Sequence, residues 1–148
     1  MEEDDYIIEL RRVLDENSAV AVNNLNLTIQ SLPEKTHSIV LMISPDQDGE
    51  GTFGVRVSIS GPDLYVLNKA IKSTADLINI IHTPEGVKPN VPLMDPDDSS
   101  FEVNDILSDE VGDWLKSVWD QADNDSINLP VTIESDEGYV MNLPIRLN

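Results

Sequence analysis

The residues best suited to do chemistry in this chain are carboxylates. In SPDQDGEGTFG, Ser44 to Gly54, Asp46, Asp48 and Glu50 stand at alternate positions and Gly51 follows. A calcium loop of the EF-hand type needs oxygen ligands at its first, third and fifth positions, glycine at the sixth and a bidentate glutamate at the twelfth. Counting from Asp46 satisfies all of these except the last, because the twelfth residue is Val57. Flanking helices are missing as well. Asp46, Asp48 and Glu50 are therefore weak metal candidates, and a solvated hairpin tip, where Asp and Gly supply turn conformations, is the preferred reading. The run DPDD, Asp95 to Asp98, offers carboxylates without histidine, a donor set that suits only hard cations. The two histidines, His37 and His82, fall at the edges of expected elements. Neither is expected to be catalytic, since no GxSxG, HExxH or glycine-rich phosphate loop accompanies them. Among 28 acidic residues, a pair at glycosidase spacing carries no information. No cofactor is expected.

The elements that must position these residues belong to a chain of 148 residues, enough for one domain with a real core. Residues 4–32 predict a helix, with Ile7, Leu10 and Leu14, then Val22, Leu25, Ile29 and Leu32, at helical spacing. DENS, Asp15 to Ser18, is where it could break in two, with Ser18 as the N-cap. Residues 37–60 predict an antiparallel hairpin around the Asp46–Gly51 tip. Its first strand, containing IVLMI, is apolar on both faces and belongs in the centre of a sheet. Its second alternates, with Phe53, Val55, Val57 and Ile59 on one side. Residues 62–81 predict a second helix opened by Pro62, although Leu77 to Ile81 is rich in β-formers. Residues 83–100 read as a long acidic loop with four prolines. Residues 108–122 predict a third helix, capped by Ser108. Residues 129–147 predict a second hairpin turning at Asp136-Glu137-Gly138, with Pro130 and Pro144 at edge-facing positions. This order, with no βαβ repetition, predicts an α+β domain in which an antiparallel sheet of two hairpins packs against about three helices.

Charge is the strongest functional signal. The net charge is −19 and there is no cysteine, which excludes disulfides, thiolate catalysis and cysteine-ligated zinc. Nucleic acid and anionic membranes are unexpected partners, because phosphate affinity comes from Lys and Arg and the chain has only nine. The start MEEDDYIIEL is acidic where a signal peptide is basic, and no apolar run approaches the ~20 residues of a membrane span, so a cytoplasmic protein is expected. From Asp95 to Glu137 there are 14 acids against one base, Lys116, whereas residues 1–74 hold 12 acids and six bases. The patch expected to meet a basic protein comprises Asp95, Asp97, Asp98, Asp109, Glu110, Asp113, Trp114 and Asp120. Trp114 and Trp119 lie roughly 140° apart around a helix, so they do not both centre one buried stripe; two core-edge tryptophans are the preferred reading, and Trp114 as a partly exposed anchor beside Asp113 is the alternative. Solubility alone is the competing explanation of the acidity.

Small size, strong acidity, absence of cysteine, absence of a catalytic motif and an α+β pattern together resemble the immunity proteins of bacterial polymorphic toxin systems, contact-dependent inhibition included. The resemblance is one of whole-chain profile and carries over no site residues. It implies a non-enzymatic cytoplasmic inhibitor that occupies the cationic groove of a toxin domain, often a nuclease. The alternatives are a structural domain with weak calcium or metal binding at residues 46–50, and a homodimer formed through the apolar helices.

Overall fold

A computed structural model of the chain describes residues 1–136 and 142–148. Among these, acidic residues open the first helix, α1 (Glu3–Glu16), where Glu3, Asp4 and Asp5 face the positive end of its dipole. Tyr6, Leu10, Val13 and Leu14 are buried on one face, and on the other Arg12 bridges Glu9 and Glu16 one turn away in each direction. The helix breaks inside DENS, at Asn17. The second helix, α2 (Ser18–Gln30), therefore starts at Ser18, which is its first residue and not its cap.

The strands β1 (Ser38–Pro45) and β2 (Phe53–Ser60) form the expected antiparallel hairpin, with Ile39 opposite Ile59, Leu41 opposite Val57 and Ile43 opposite Val55. Beyond it the chain departs from the sequence reading. The second helix expected there, residues 62–81, is only α3 (Leu64–Ala70), capped by Asp63, whose carboxylate accepts from the Val66 N–H. The remainder becomes β3 (Asp76–Asn79), paired antiparallel to β2. The β-rich run Leu77 to Ile81 decides this, because as a strand it completes the edge of the sheet and buries Leu77, Ile78 and Ile80. Thr28 of α2 holds the preceding turn, its hydroxyl 2.8 Å from that of Thr74. The long loop also contains structure: β4 (Ile81–Thr83) and β5 (Gly86–Lys88) make a small separate hairpin.

The last helix, α4 (Val103–Gln121), begins five residues before the expected 108. Val103 and Leu107 extend the apolar stripe backwards in helical register, so Ser108 lies buried inside the helix and bonds the Ser135 hydroxyl instead of capping. The strands β6 (Val131–Ser135) and β7 (Ile145–Arg146) pair antiparallel. Of the expected turn Asp136-Glu137-Gly138 and strand Tyr139 to Leu147, residues 137–141 lie outside the described ones. The two hairpins join through a parallel pairing of β1 with β6, giving a mixed sheet in the order β3-β2-β1-β6-β7. The fold is thus α+β in one domain, with IVLMI in the middle strand as expected.

α4 covers β1 and β6, α2 covers β3, and α1 packs along α4. Trp114 is fully buried and Trp119 is 5% exposed, so neither is available as a surface anchor. Both fit because the buried arc of α4 is wide: Gly112 leaves room for Leu143, and the Trp114 indole N–H donates to the Ser18 hydroxyl at 2.8 Å. Ser18 in turn donates to the Leu14 carbonyl at 3.2 Å, tying α4 to the α1–α2 break. Trp114→Ala is expected to cost about 3–5 kcal/mol of stability. Ser18→Ala, which strands a buried indole donor, should cost about 1–3 kcal/mol. Chemical denaturation of both variants checks these values.

Candidate functional site

The tip of the β1–β2 hairpin and the loop before α4, treated separately in the sequence, meet in space. The Met94 N–H donates to the Glu50 carbonyl at 2.7 Å, and the Asn104 side-chain amide donates to the Asp46 carbonyl at 3.0 Å. Gly51 is the closest approach: with φ at +111°, a Cβ there would sit 2.9 Å from the Pro92 carbonyl oxygen. Only glycine combines that backbone conformation with that contact. Beneath the junction the Tyr6 and Phe101 rings pack at 5.3 Å. The Tyr6 hydroxyl is buried without a hydrogen-bond partner among the described residues, and burial together with the nearby Glu110 charge pushes its ionisation upward.

Between tip and loop lies a hollow of about 510 Å³, in which Asp48, Glu102 and Asp105 contribute carboxylates and Pro96 contributes to the wall. Asp95, Asp97 and Asp98 flank Pro96 and are exposed. The turns that fix these carboxylates are local. Asp46 accepts from the Thr52 hydroxyl, Asp48 from the Glu50 N–H at 3.0 Å, and Asp95 from the Asp97 N–H at 2.9 Å. Among the described residues, none of Asp46, Asp48, Glu50, Asp95, Asp97, Asp98, Glu102 or Asp105 has a basic partner within ion-pair distance. Nor, among those residues, do three His, Asp or Glu side chains converge so as to hold a metal ion. The Asp46 and Asp48 carboxylates serve the hairpin turn.

The expected residues of α4 occupy a different place. Arg11 reaches across from α1 to Asp113 at 2.9 Å and to Glu110 at 3.5 Å, and also donates to the Glu110 carbonyl oxygen. Asp109 accepts from the Asn142 N–H, holding the C-terminal segment. Asp120 stands exposed nearly two turns beyond Asp113. Asp109, Glu110 and Asp113 thus each have a partner within the chain, although the Asp113 side chain is still 62% exposed, and Trp114 is core. The sequence reading passed over Glu102 and Asp105, which line the hollow. Both lie within the acid-rich stretch, but their position at the start of α4 became visible only once that helix was extended to Val103.

His37 and His82 are exposed, and neither approaches the hollow's lining. No helix among the described residues is long and apolar enough to cross a membrane. What fold and site define is a small α+β domain with an unneutralised acidic hollow at one end of its sheet. The chain belongs to the family described as Family of unknown function (DUF6389), whose model matches residues 1–148. No curated protein and no solved structure matches it.

Two outcomes follow from this geometry. Gly51→Ala should cost about 1–3 kcal/mol, measured by denaturation, because the alanine must adopt a positive φ while pressing on Pro92. Glu110 has its pKa raised, first by burial and then by Asp113 and Asp109, with Arg11 opposing. A carboxyl whose folded pKa is raised binds its proton more tightly when folded, so its ionisation destabilises as pH rises through that value. Glu110→Gln is therefore expected to raise the melting temperature at neutral pH, and the gain should vanish below the carboxylate range, where wild-type Glu110 is protonated. A melting series across pH reads this.

Proposed function

We propose that this chain is a non-enzymatic acidic binding protein that docks a cationic protein through the hollow between the β1–β2 tip and the start of α4. The observation that carries the reading is that Asp48 of the tip and Glu102 and Asp105 at the start of α4 line one hollow, with Asp95, Asp97 and Asp98 exposed on the loop that contributes Pro96 to its wall, and that none of them has a basic partner among the described residues. Leaving so many like charges together costs self-repulsion, which a positively charged partner relieves. Asp48, Asp95, Asp97, Asp98, Glu102 and Asp105 are the contact residues of this proposal. Compared with the sequence reading, it drops Trp114, keeps Asp120 only as part of the general field, and moves the centre from the middle of α4 to its start.

The kind of partner comes from the resemblance to immunity proteins: a basic toxin domain, such as a nuclease, met in the cytoplasm. A nuclease groove is cationic because it binds phosphate, and a rigid acidic surface can occupy it. Nucleic acid and membrane surfaces are no part of the reading, since the same field repels them. The alternative of weak calcium binding at residues 46–50 finds no converging ligands to support it.

The test is binding to a basic domain encoded beside this chain's gene, followed by stopped-flow mixing at several salt concentrations. Asp48→Lys/Asp97→Lys/Asp98→Lys, all exposed, should weaken affinity by about tenfold or more, chiefly through the association rate. Added salt should slow wild-type association in the same sense. Unchanged affinity in the triple variant, with its fold intact, would remove the hollow from the interface.

A further inference from the structure

The acidic chain also carries a concentrated positive feature away from the hollow. Arg56 lies on the outward face of β2. Tyr65, Asn68 and Lys69 share one face of α3, at i, i+3 and i+4, and Lys72 follows one turn later. These five residues line a pocket of about 250 Å³. Tyr65 is 77% exposed, and Leu64 and Val66 beside it are more than half exposed, a run of three exposed apolar residues on a helix that buries only Leu67. Solubility does not explain such a run.

The pocket is pre-formed. The Asn68 amide donates to the Ile59 carbonyl at 2.9 Å and accepts from the Ile59 N–H at 3.0 Å, clamping α3 to the end of β2. Arg56 lines the pocket, and among the described residues its ion pair is with Asp76, through one nitrogen of the guanidinium fork at 2.9 Å. In a chain with 28 acids, neither Lys69 nor Lys72 has a carboxylate partner among the described residues. Three cations less the one carboxylate of Asp76 leave a local charge of +2. At physiological salt, charges beyond a Debye length of about 8 Å are largely screened, so these neighbours outweigh the distant negative field.

We propose that the α3–β2 pocket binds a phosphate dianion carried on a flat ring. The dianion neutralises the local charge, Arg56 meets it with planar donors and Lys69 and Lys72 with point charges, and the exposed Tyr65 ring supplies a stacking face. The pocket is smaller than the roughly 300 Å³ and upward of sites that enclose drug-sized ligands. The ring therefore rests on Tyr65 at the mouth while the phosphate enters. Isothermal titration of the full chain with inorganic phosphate and with phenyl phosphate, at matched ionic strength, separates the two components. Both should bind, phenyl phosphate the tighter. Lys69→Ala/Lys72→Ala should weaken both by about tenfold while melting like wild type. Tyr65→Ala should erase the preference for the phenyl ester and keep phosphate binding. Absence of heat from either compound at millimolar concentration, or unchanged binding in the double lysine variant, would overturn the proposal.

Discussion

Parallel strands cannot be joined by a tight turn, so the pairing of β1 with β6 obliges the chain to travel across the fold between them. α4 is the last leg of that crossover, and it must cover the two strands it connects. This requirement explains why nine of its residues are buried, why two tryptophans sit on it without either reaching solvent, and why a serine lies in its interior. It also determines where charge can go. Carboxylates on α4 are confined to the arc that remains, where Glu110 and Asp113 meet Arg11, Asp109 meets the C-terminal segment and Asp120 is exposed, or to the helix start, where Glu102 and Asp105 open onto the hollow.

The resulting electrostatics are uneven in a way the net charge conceals. Arg11 of α1 reaches across to α4, where Glu110 and Asp113 share it. Burial first, and then the charges of Asp113 and Asp109, make Glu110 hold its proton more tightly than a free glutamate despite the opposing pull of Arg11. At the hairpin tip no cation intervenes, and hydrogen bonds within each turn hold the carboxylates in place. Three of the nine cations, Arg56, Lys69 and Lys72, gather instead at α3 and β2. The molecule is polarised, with an acidic hollow on one side and a small basic pocket on another, and each has the opposite sign to what it would bind.

Much of this was legible in the sequence where a local pattern was strong. The alternation of Phe53, Val55, Val57 and Ile59 specified a strand and its buried face, and the doubly apolar IVLMI specified the middle of the sheet. DENS marked the helix break to within a residue. Legibility failed where tertiary contacts overrode local preference. Leu67 and Ile71 keep helical spacing with Ala75 and Ile78, yet the edge of β2 was free to pair, and residues 76–79 took it. Two core-edge tryptophans are what the helix holds, and Trp114 fails as an exposed anchor because a helix that roofs two strands buries a broad arc. The hollow itself had no signal in the sequence. It depends on Gly51 meeting Pro92 across more than forty residues of chain, and the glycine alone suggested only a turn.

The central claim is that residues 46–51 and 92–105 act as one surface that a cationic protein covers. Amide hydrogen exchange of the chain, free and saturated with a basic partner, tests it most directly. The account predicts that exchange slows in both segments together on binding, while amides along the exposed face of α1 are unaffected. Protection confined to other surfaces, with the tip and the loop exchanging as in the free chain, would contradict it.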